Sequence, residues 1–277
     1  MKGDRLLAVS AALGLAVLPL AAATVQAQTR STPPIQNLRS LAVTIDTTGF
    51  RGTVVVYDVR RNHYRAVHPE LATARRIPAS TFKIANSLIA LDVGVVRDEH
   101  TVIPWDSVIR GRDELNRDLD LVTAFRLSAV PHFQEIARRI GEDRMQQYLH
   151  RLHYGNENLG GGIDQFWLTG DLRICALEQI AFLRRLYQDS LPVSRRAMAD
   201  VRDMMEMERT PSLILRGKTG WAQLPNHHEV GWWVGWVERG RDTFIFASMI
   251  EADSPGSSFG PARTGLAREV LRRLGIL

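Results

Sequence analysis

Lysine is scarce in this chain of 277 residues: only Lys2, Lys83 and Lys218 are lysines, although lysine and arginine together number 35. Arginine therefore carries nearly all of the positive charge. A guanidinium stays protonated in a protein because its pKa lies above ~12, whereas a lysine shielded from water can lose its proton and act as a base. Lys83 and Lys218 are thus candidates for chemistry that arginine cannot perform.

Cysteine and long apolar runs are also scarce. Cys175 is the only cysteine, so an intrachain disulfide is excluded. It lies in LRICALEQIAFLRRLY, where apolar residues recur at helical spacing, which predicts a small buried side chain and not a thiol nucleophile. After the N-terminal segment, no stretch approaches the ~18 unbroken apolar residues of a membrane-spanning helix.

The N-terminal segment has the pattern of an export signal. Lys2 and Arg5 precede the apolar run LLAVSAALGLAVLPLAAATV, and VQA then supplies small residues at a cleavage site. An uncleaved anchor is the alternative, but the proline and the alanine-rich end of the run favour cleavage after Ala27. We therefore expect residues 1–27 to be a signal peptide. Residues 28–277 should form the mature domain, which is periplasmic and free of the membrane after cleavage.

The basic character of the chain does not indicate a nucleic-acid partner. The net charge is +5 and the isoelectric point is about 9.8, yet 30 acidic residues are interspersed with the basic ones. Segments such as ARRIGEDR and ERGRDTF mix both signs within a few positions. Mixed charge of this kind is typical of a solvated surface, so binding to nucleic acid is not expected.

Strand-like segments lie near both ends of the chain. GTVVVYDVR comes early, and SLILRGKTGW, EVGWWVGWVER and TFIFASMIE come late, while the stretch between them is helical in pattern. The short connections of the late strands imply antiparallel pairing. The sequence predicts an α/β (α+β) fold: a mainly antiparallel sheet from both chain ends, flanked by helices, with a helical subdomain inserted at about 85–210. TRSTPPIQNL, residues 29–38, is expected to be a mobile leader.

Ser80 and Lys83 form a Ser-x-x-Lys pattern in PASTFKIAN. If Ser80 stands at the start of a helix, Lys83 lies one turn further on the same face, so its amine can reach the serine hydroxyl. A serine needs a base to become a good nucleophile, and a lysine among apolar neighbours can lose its own proton and serve as that base. The pattern alone occurs by chance in many proteins, but lysine is rare in this one.

The other late lysine lies in Lys218-Thr219-Gly220. A phosphate-binding loop would need a glycine five residues before the Gly-Lys step, and Ser212 stands there instead, so nucleotide binding is not expected. On a strand, the same three residues line a cleft with a cation, a hydroxyl and a glycine that lets a substrate approach the backbone. Together with Ser-x-x-Lys, this motif is the signature of penicillin-recognising serine enzymes.

Three further segments narrow the resemblance. Ser128-Ala129-Val130 stands where some of these enzymes have Ser-Asp-Asn, and it is followed by Tyr154-Gly155-Asn156, by Trp167 and by GWWVGWVE. In these motifs and their order the chain resembles the class D β-lactamases, the oxacillinases, from about residue 50 to the C-terminus. The resemblance implies the serine β-lactamase/penicillin-binding transpeptidase-like fold and a periplasmic enzyme that opens the β-lactam ring of penicillins and gives antibiotic resistance.

The resemblance also implies roles for the catalytic residues. Ser80 would be the nucleophile. Lys83 would be carboxylated by CO2 to N6-carboxylysine and would act as general base, and the Trp167 N–H would hold a carbamate oxygen. Ser128 would pass a proton to the leaving lactam nitrogen, and Lys218 would lower the cost of that transfer and attract the substrate carboxylate.

Substrate binding is assigned by the same resemblance. Thr219 and Arg263 would bind the carboxylate, which suits a planar guanidinium. Backbone N–H groups of Ser80 and Trp221 would form an oxyanion hole. The remaining members of the expected site are Gly220 beside these groups, Val130 as an apolar neighbour that keeps the Lys83 amine neutral, and Tyr154 and Asn156, which would shape the cleft.

No metal or prosthetic group is expected, and CO2 or bicarbonate is the only small molecule required besides substrate. The histidines of NHHEV, residues 226–230, lack the spacing of a hydrolytic zinc site. The expected partners are small β-lactams, with the protein as monomer or homodimer. Two alternatives remain: a β-lactam sensor domain that is acylated without turnover, and a peptidoglycan DD-carboxypeptidase.

Overall fold

The computed structural model describes residues 34–277. The predicted signal peptide therefore lies outside the described residues. The strands are β1 Ile35–Asn37, β2 Arg51–Asp58, β3 His63–Val67, β4 Val102–Ile103, β5 Leu119–Asp120, β6 Glu206–Thr210, β7 Leu213–Gln223, β8 His228–Arg239 and β9 Asp242–Asp253. The α-helices are α1 Val43–Asp46, α2 Lys83–Asp92, α3 Leu121–Arg126, α4 Val130–Ile140, α5 Glu142–Leu152, α6 Ala176–Tyr187, α7 Arg195–Met204 and α8 Phe259–Arg273.

Seven strands form the central sheet in the order β1-β3-β2-β9-β8-β7-β6. All neighbours are antiparallel except β1 and β3, which are parallel. The sheet is thus built from both ends of the chain, as predicted, because β2 pairs directly with β9. The expectation of a mobile leader over residues 29–38 is wrong for its last part. Ile35 to Asn37 pair with β3, and the Leu38 N–H donates to the Ala66 carbonyl at 2.7 Å.

Strands β8 and β9 are buried on both faces. Alternation along β8 sends Trp232 and Trp236 to the core beneath the helices, and Trp233 to the core on the opposite face. On β9, Ile245 points to the core beneath the helices and Phe246 points to the core on the opposite face. Side chains on a strand point alternately to opposite faces. The nearly unbroken apolar run GWWVGWV is therefore the sequence of a central strand that is covered by two layers.

The helices of the middle segment pack on one face of the sheet. Helix α2 is their centre, since its residues 83–90 are all buried. Helix α6 packs on β9, whereas α8 covers the other face and contacts β8. The helices of the middle end at Met204, and β6 already belongs to the sheet. In the described part of the chain, no helix is long and apolar enough to cross a membrane.

Candidate active site

Ser80 lies in a single 3-10 turn, Ala79–Phe82, that leads directly into α2. Ala79 has a φ of 48°, an unfavourable left-handed conformation for a residue with a side chain. Two side chains hold the turn in place. The Thr81 hydroxyl donates to the Pro78 carbonyl at 2.8 Å, and the Trp232 indole N–H donates to the Ile77 carbonyl at 2.8 Å. The serine is therefore presented on a fixed, strained turn.

Helix α6 and strand β7 also contact this turn. From α6, the buried Gln179 amide donates to the Thr81 hydroxyl at 2.9 Å. From β7, Gly220 lies so close that a Cβ atom there would be 2.9 Å from the Pro78 carbonyl oxygen. Gly220 thus permits the close approach of β7 to the turn, which a side chain would prevent.

Lys83 has no exposed surface, and its Nζ atom lies 2.9 Å from Ser80 Oγ. The Phe133 ring lies 5.2 Å from the same nitrogen. Burial holds the pKa of Lys83 well below its usual value, and the charges of Lys218 and Arg112 lower it further. The lowered pKa favours the neutral amine, which is the form that can accept a proton.

Lys218 and Ser128 form a second lysine-serine pair. Lys218 Nζ donates to Ser128 Oγ at 3.0 Å and to the Thr219 carbonyl at 3.1 Å. Burial lowers the pKa of Lys218 to about 7, with a further contribution from the charge of Arg263. Ser128 lies two residues after the end of α3 and has a φ of 57°, an unfavourable left-handed conformation for a residue with a side chain.

Trp167 is fully buried in the aromatic cluster beneath the serine turn. Its ring lies 5.4 Å from that of Phe82 and 4.9 Å from that of Phe166, measured between centroids. Within the part of the chain that the structure describes, the indole N–H has no hydrogen-bond partner. A buried donor without a partner is costly, and such groups are rare in folded proteins. The arrangement therefore leaves one donor free for an acceptor that the protein itself does not provide.

Thr219, Trp221 and Arg263 lie together beside the edge of β7. The Arg263 guanidinium stacks 4.4 Å from the centre of the Trp221 ring and donates to the Gly220 carbonyl at 3.3 Å. The Trp221 indole N–H donates to Glu229 at 2.5 Å, although 42% of the residue is exposed. These contacts orient a cation and an aromatic ring at the mouth of the site.

The cleft-shaping assignment of Tyr154 is corrected by its burial. Its side chain has no exposed surface and packs edge-on against Phe82 and Phe182, so it supports the serine turn from the core and does not line a cleft. Burial raises the pKa of its hydroxyl, which excludes proton transfer near neutral pH. Asn156 binds the following loop instead: it donates to the Asp171 carbonyl at 2.9 Å and accepts from the Arg173 N–H at 2.8 Å.

Val130 is the first residue of α4 and is only half-buried. Phe133, one turn further along the same helix, places its ring 5.2 Å from Lys83 Nζ. Phe133, Gln179 and Arg112 thus belong to the surroundings of the site although the sequence did not indicate them. All three come from segments far from Ser80, and none carries a recognisable motif.

Cys175 and the histidines lie away from these groups. Cys175 is buried, as predicted, and burial raises the pKa of its thiol to about 12. His228 Nδ1 lies 2.7 Å from Asp253 Oδ1 at the protein surface. Within residues 34–277, no group of three or more histidine, cysteine or acidic side chains is arranged to hold a metal ion.

Known proteins with similar sequences share this architecture. Residues 51–272 match the family model of the penicillin binding protein transpeptidase domain. The chain is 44% identical over 227 residues to β-lactamase OXA-48 of Klebsiella pneumoniae, a match that covers 82% of this chain and 84% of that protein. It is 43% identical over 208 residues to β-lactamase OXA-5 of Pseudomonas aeruginosa, with coverages of 74% and 77%.

Solved structures agree with the sequence matches. FUS-1 (OXA-85), a class D β-lactamase from Fusobacterium nucleatum subsp. polymorphum, superimposes with a TM-score of 0.83 at 34% identity, covering 87% of this chain and 100% of that one. The class D β-lactamase YbXI from Nostoc gives a TM-score of 0.81 at 37% identity, with coverages of 86% and 99%. This chain belongs to the class D β-lactamases.

Membership of this family confirms the fold and the enzyme class that the motifs predicted. A class D β-lactamase is a serine hydrolase that needs no metal and that opens the β-lactam ring, which gives resistance to β-lactam antibiotics. The two hydrogen-bonded pairs come from three separate regions of the chain: Ser80 with Lys83, and Ser128 with Lys218. The charge of Lys218 lowers the pKa of Lys83 and so links the two pairs.

Proposed function

We propose that this class D β-lactamase hydrolyses penicillin-type substrates through an acyl-enzyme on Ser80, with Lys83 as the base. One observation carries the proposal: a fully buried lysine amine lies 2.9 Å from the hydroxyl of a serine on a strained turn. A nucleophile and a base within hydrogen-bond distance are the requirement for covalent catalysis by serine. In this proposal Ser80 Oγ attacks the lactam carbonyl carbon as Lys83 takes the hydroxyl proton.

The surroundings of Lys83 also fit carboxylation by CO2. Only a neutral amine reacts with CO2, and burial together with two nearby cations lowers the pKa of Lys83 and so favours that form. The unpartnered indole N–H of Trp167 provides a buried donor for a carbamate oxygen. When bound on Lys83, CO2 would supply an anionic base. Trp167, held by its packing against Phe82 and Phe166, would orient that base. The base would take a proton first from Ser80 and then from the water that attacks the acyl carbonyl, and the bond to Ser80 Oγ would break as the product leaves.

Ser128 and Lys218 would supply a proton to the leaving nitrogen. When the carbonyl–nitrogen bond breaks, the nitrogen must gain a proton, and the Ser128 hydroxyl can donate one. Lys218 Nζ, 3.0 Å from Ser128 Oγ, would then replace that proton. Its lowered pKa, about 7, makes this transfer easier than it would be for a lysine in water.

The edge of β7 would bind the substrate. Thr219 and Arg263 would hold its carboxylate, and the Arg263 guanidinium is kept in place by Trp221 and by the Gly220 carbonyl. The backbone N–H groups of Ser80 and Trp221 would stabilise the negative oxygen that develops on the carbonyl. Gly220 serves this arrangement because it lets β7 approach the serine turn.

Turnover on a chromogenic cephalosporin and a penicillin tests the proposal, with mass spectrometry of the protein after brief exposure to the penicillin. We expect many turnovers per molecule and a covalent adduct in the wild type, and neither in Ser80→Ala. A single slow equivalent of product would favour the sensor domain or the DD-carboxypeptidase. An adduct that persists in Ser80→Ala would exclude Ser80 as the nucleophile.

We further propose that residues 1–27 direct export to the periplasm and are then removed. The support is the charged start, the apolar run and the small residues that end at Ala27. N-terminal sequencing of the protein from a periplasmic extract should begin at Gln28. An intact N-terminus would favour the uncleaved anchor.

A further inference from the structure

Three consecutive residues lead the chain across three strands of the sheet just before the serine turn. Each residue contacts one strand, and the contacts are, in order, Arg76 with Glu251 of β9, Ile77 with Trp232 of β8, and Pro78 with Gly220 of β7. Strands β9, β8 and β7 are neighbours in the sheet, so the segment crosses them one after another. The course of residues 76–78 therefore sets where the turn begins.

The contact of this segment with β9 is an ion pair. Arg76 Nη2 donates to Glu251 Oε1 at 2.7 Å, and Arg76 Nε donates to Glu251 Oε2. A guanidinium that is bound through two donors is fixed in orientation as well as in position. The contact with β8, by comparison, is a single hydrogen bond to the Ile77 carbonyl. The ion pair is therefore the contact that restrains the orientation of the segment most strongly.

Glu251 makes this contact from inside the protein, since it is only 4% exposed. Alternation along β9 places it on the face beneath the helices, with Met249. Burial alone would raise the pKa of Glu251, yet the hydrogen bond and charge of Arg76, with the charge of Arg51, hold it below its usual value. A buried ion pair is often no more stabilising than apolar side chains of the same volume, because removing its charges from water is costly. Its fixed geometry is what apolar side chains would not supply.

We propose that Arg76 and Glu251 are positioning residues for the nucleophile: their ion pair fixes residues 76–78 so that the turn presents Ser80 to the lactam carbonyl. This inference rests on the proposed function, in which Ser80 Oγ is the attacking atom. Both side chains act through the backbone of the segment and not on the substrate. Ala79 follows the segment with a φ of 48°, and a strained residue keeps its conformation only while the contacts around it hold.

Arg51 provides a matched control, because it binds the same carboxylate from another element. It lies opposite Glu251 on β2, and its Nη1 donates to Glu251 Oε1 at 3.2 Å. Strand β2 is not part of the segment that leads to Ser80. Arg51→Met and Arg76→Met thus remove the same kind of partner from the same acid, but only Arg76→Met releases the segment.

The rate of acylation by a penicillin tests the proposal. It is measured in single turnovers by rapid quenching and mass spectrometry, over a range of penicillin concentrations, and Tm is measured in parallel. We expect Arg76→Met and Glu251→Gln each to lower the maximal rate about 10-fold, less than the ~10²-fold that a displacement of about 1 Å can cost. The half-saturating concentration should change little, because the substrate contacts remain.

Three further variants separate positioning from stability. The double variant Arg76→Met/Glu251→Gln should be no slower than either single one, because both remove a single interaction. Arg76→Lys keeps the charge and should recover part of the rate. Arg51→Met should acylate at the wild-type rate.

Two results would overturn the proposal and leave the proposed function intact. One is an equal loss of acylation rate in Arg51→Met and Arg76→Met. The other is a lower Tm with an unchanged rate in Arg76→Met and Glu251→Gln. If Arg76→Met does not fold, Arg76→Lys and Glu251→Gln carry the same comparison with Arg51→Met. A wild-type adduct on a residue other than Ser80 would instead overturn the proposed function, and the positioning role with it.

Discussion

Lys218 and Ser128 stand 90 positions apart in the chain and are joined by a hydrogen bond of 3.0 Å from Nζ to Oγ. Lys83 and Ser80 form a similar pair at 2.9 Å within a single helical turn. In both pairs burial lowers the pKa of the lysine. The Ser80–Lys83 pair is thus assembled by local helix geometry, whereas the Ser128–Lys218 pair forms only in the completed fold.

Lys83→Arg should lower kcat/KM on a penicillin by at least ~10²–10⁴-fold, the loss expected for a general base. A guanidinium keeps the charge and most of the length, but it cannot lose its proton or react with CO2. Carbon-13 spectroscopy in labelled bicarbonate should show a carbamate signal in the wild type and none in the variant. Near-normal turnover of Lys83→Arg, with or without bicarbonate, would show that Lys83 is not the base.

Trp167→Phe should keep the packing on Phe82 and lose the N–H donor. We expect lower activity in CO2-depleted buffer and partial recovery as bicarbonate is added, because the carbamate is held less tightly. Trp236→Phe is the matched control, since that indole donates to Glu238 at 2.9 Å, away from Lys83. Full activity of Trp167→Phe without CO2 would contradict the role of this donor.

Lys218→Met should abolish most activity and yet raise the Tm at pH 7 by a few degrees. This shift corresponds to an increase of about 1 kcal/mol in the free energy of unfolding. The reason is that burial opposes the charged form of Lys218 and lowers its pKa to about 7. Between pH 7 and ~10.4 the unfolded lysine binds more protons than the folded one, so wild-type stability gains as the pH rises through this range. The advantage of the variant should therefore shrink from pH 7 to pH 10 in thermal melts. A constant advantage over that range would argue against the lowered pKa.

Gln179→Met should reduce kcat about 10-fold with little change in KM. The substitution removes the hydrogen bond to Thr81, worth ~1 kcal/mol, and loosens the turn that presents Ser80. Gln146→Met is the control, because Gln146 lies on α5 and donates to the Glu157 carbonyl at 2.9 Å. If Tm falls while kcat is unaffected, Gln179 supports the fold and not the alignment of the serine.

The sequence predicted those features that depend on neighbours along the chain. Spacing within one helical turn sufficed to pair Ser80 with Lys83, and the apolar run in β8 indicated a buried strand. The role of Tyr154 was misjudged. Its motif indicates that it lies near the site, but the motif does not indicate on which side of Phe82 it packs. Phe133 and Gln179 reach the serine turn only through the packing of α4 and α6 on α2 and the sheet, and no local pattern encodes that contact.

The pairing of β2 with β9 has a consequence for the synthesis of the protein. Val55 lies opposite Ala247, so these two neighbouring strands can pair only after the chain has been synthesised as far as β9. Contacts between such distant segments carry a large loop-closure cost and form late in folding. A nascent chain lacks β7 to β9, and with them Lys218 and the edge that faces Ser80. The sheet and the active site can therefore be completed only after the C-terminal hairpins have been synthesised.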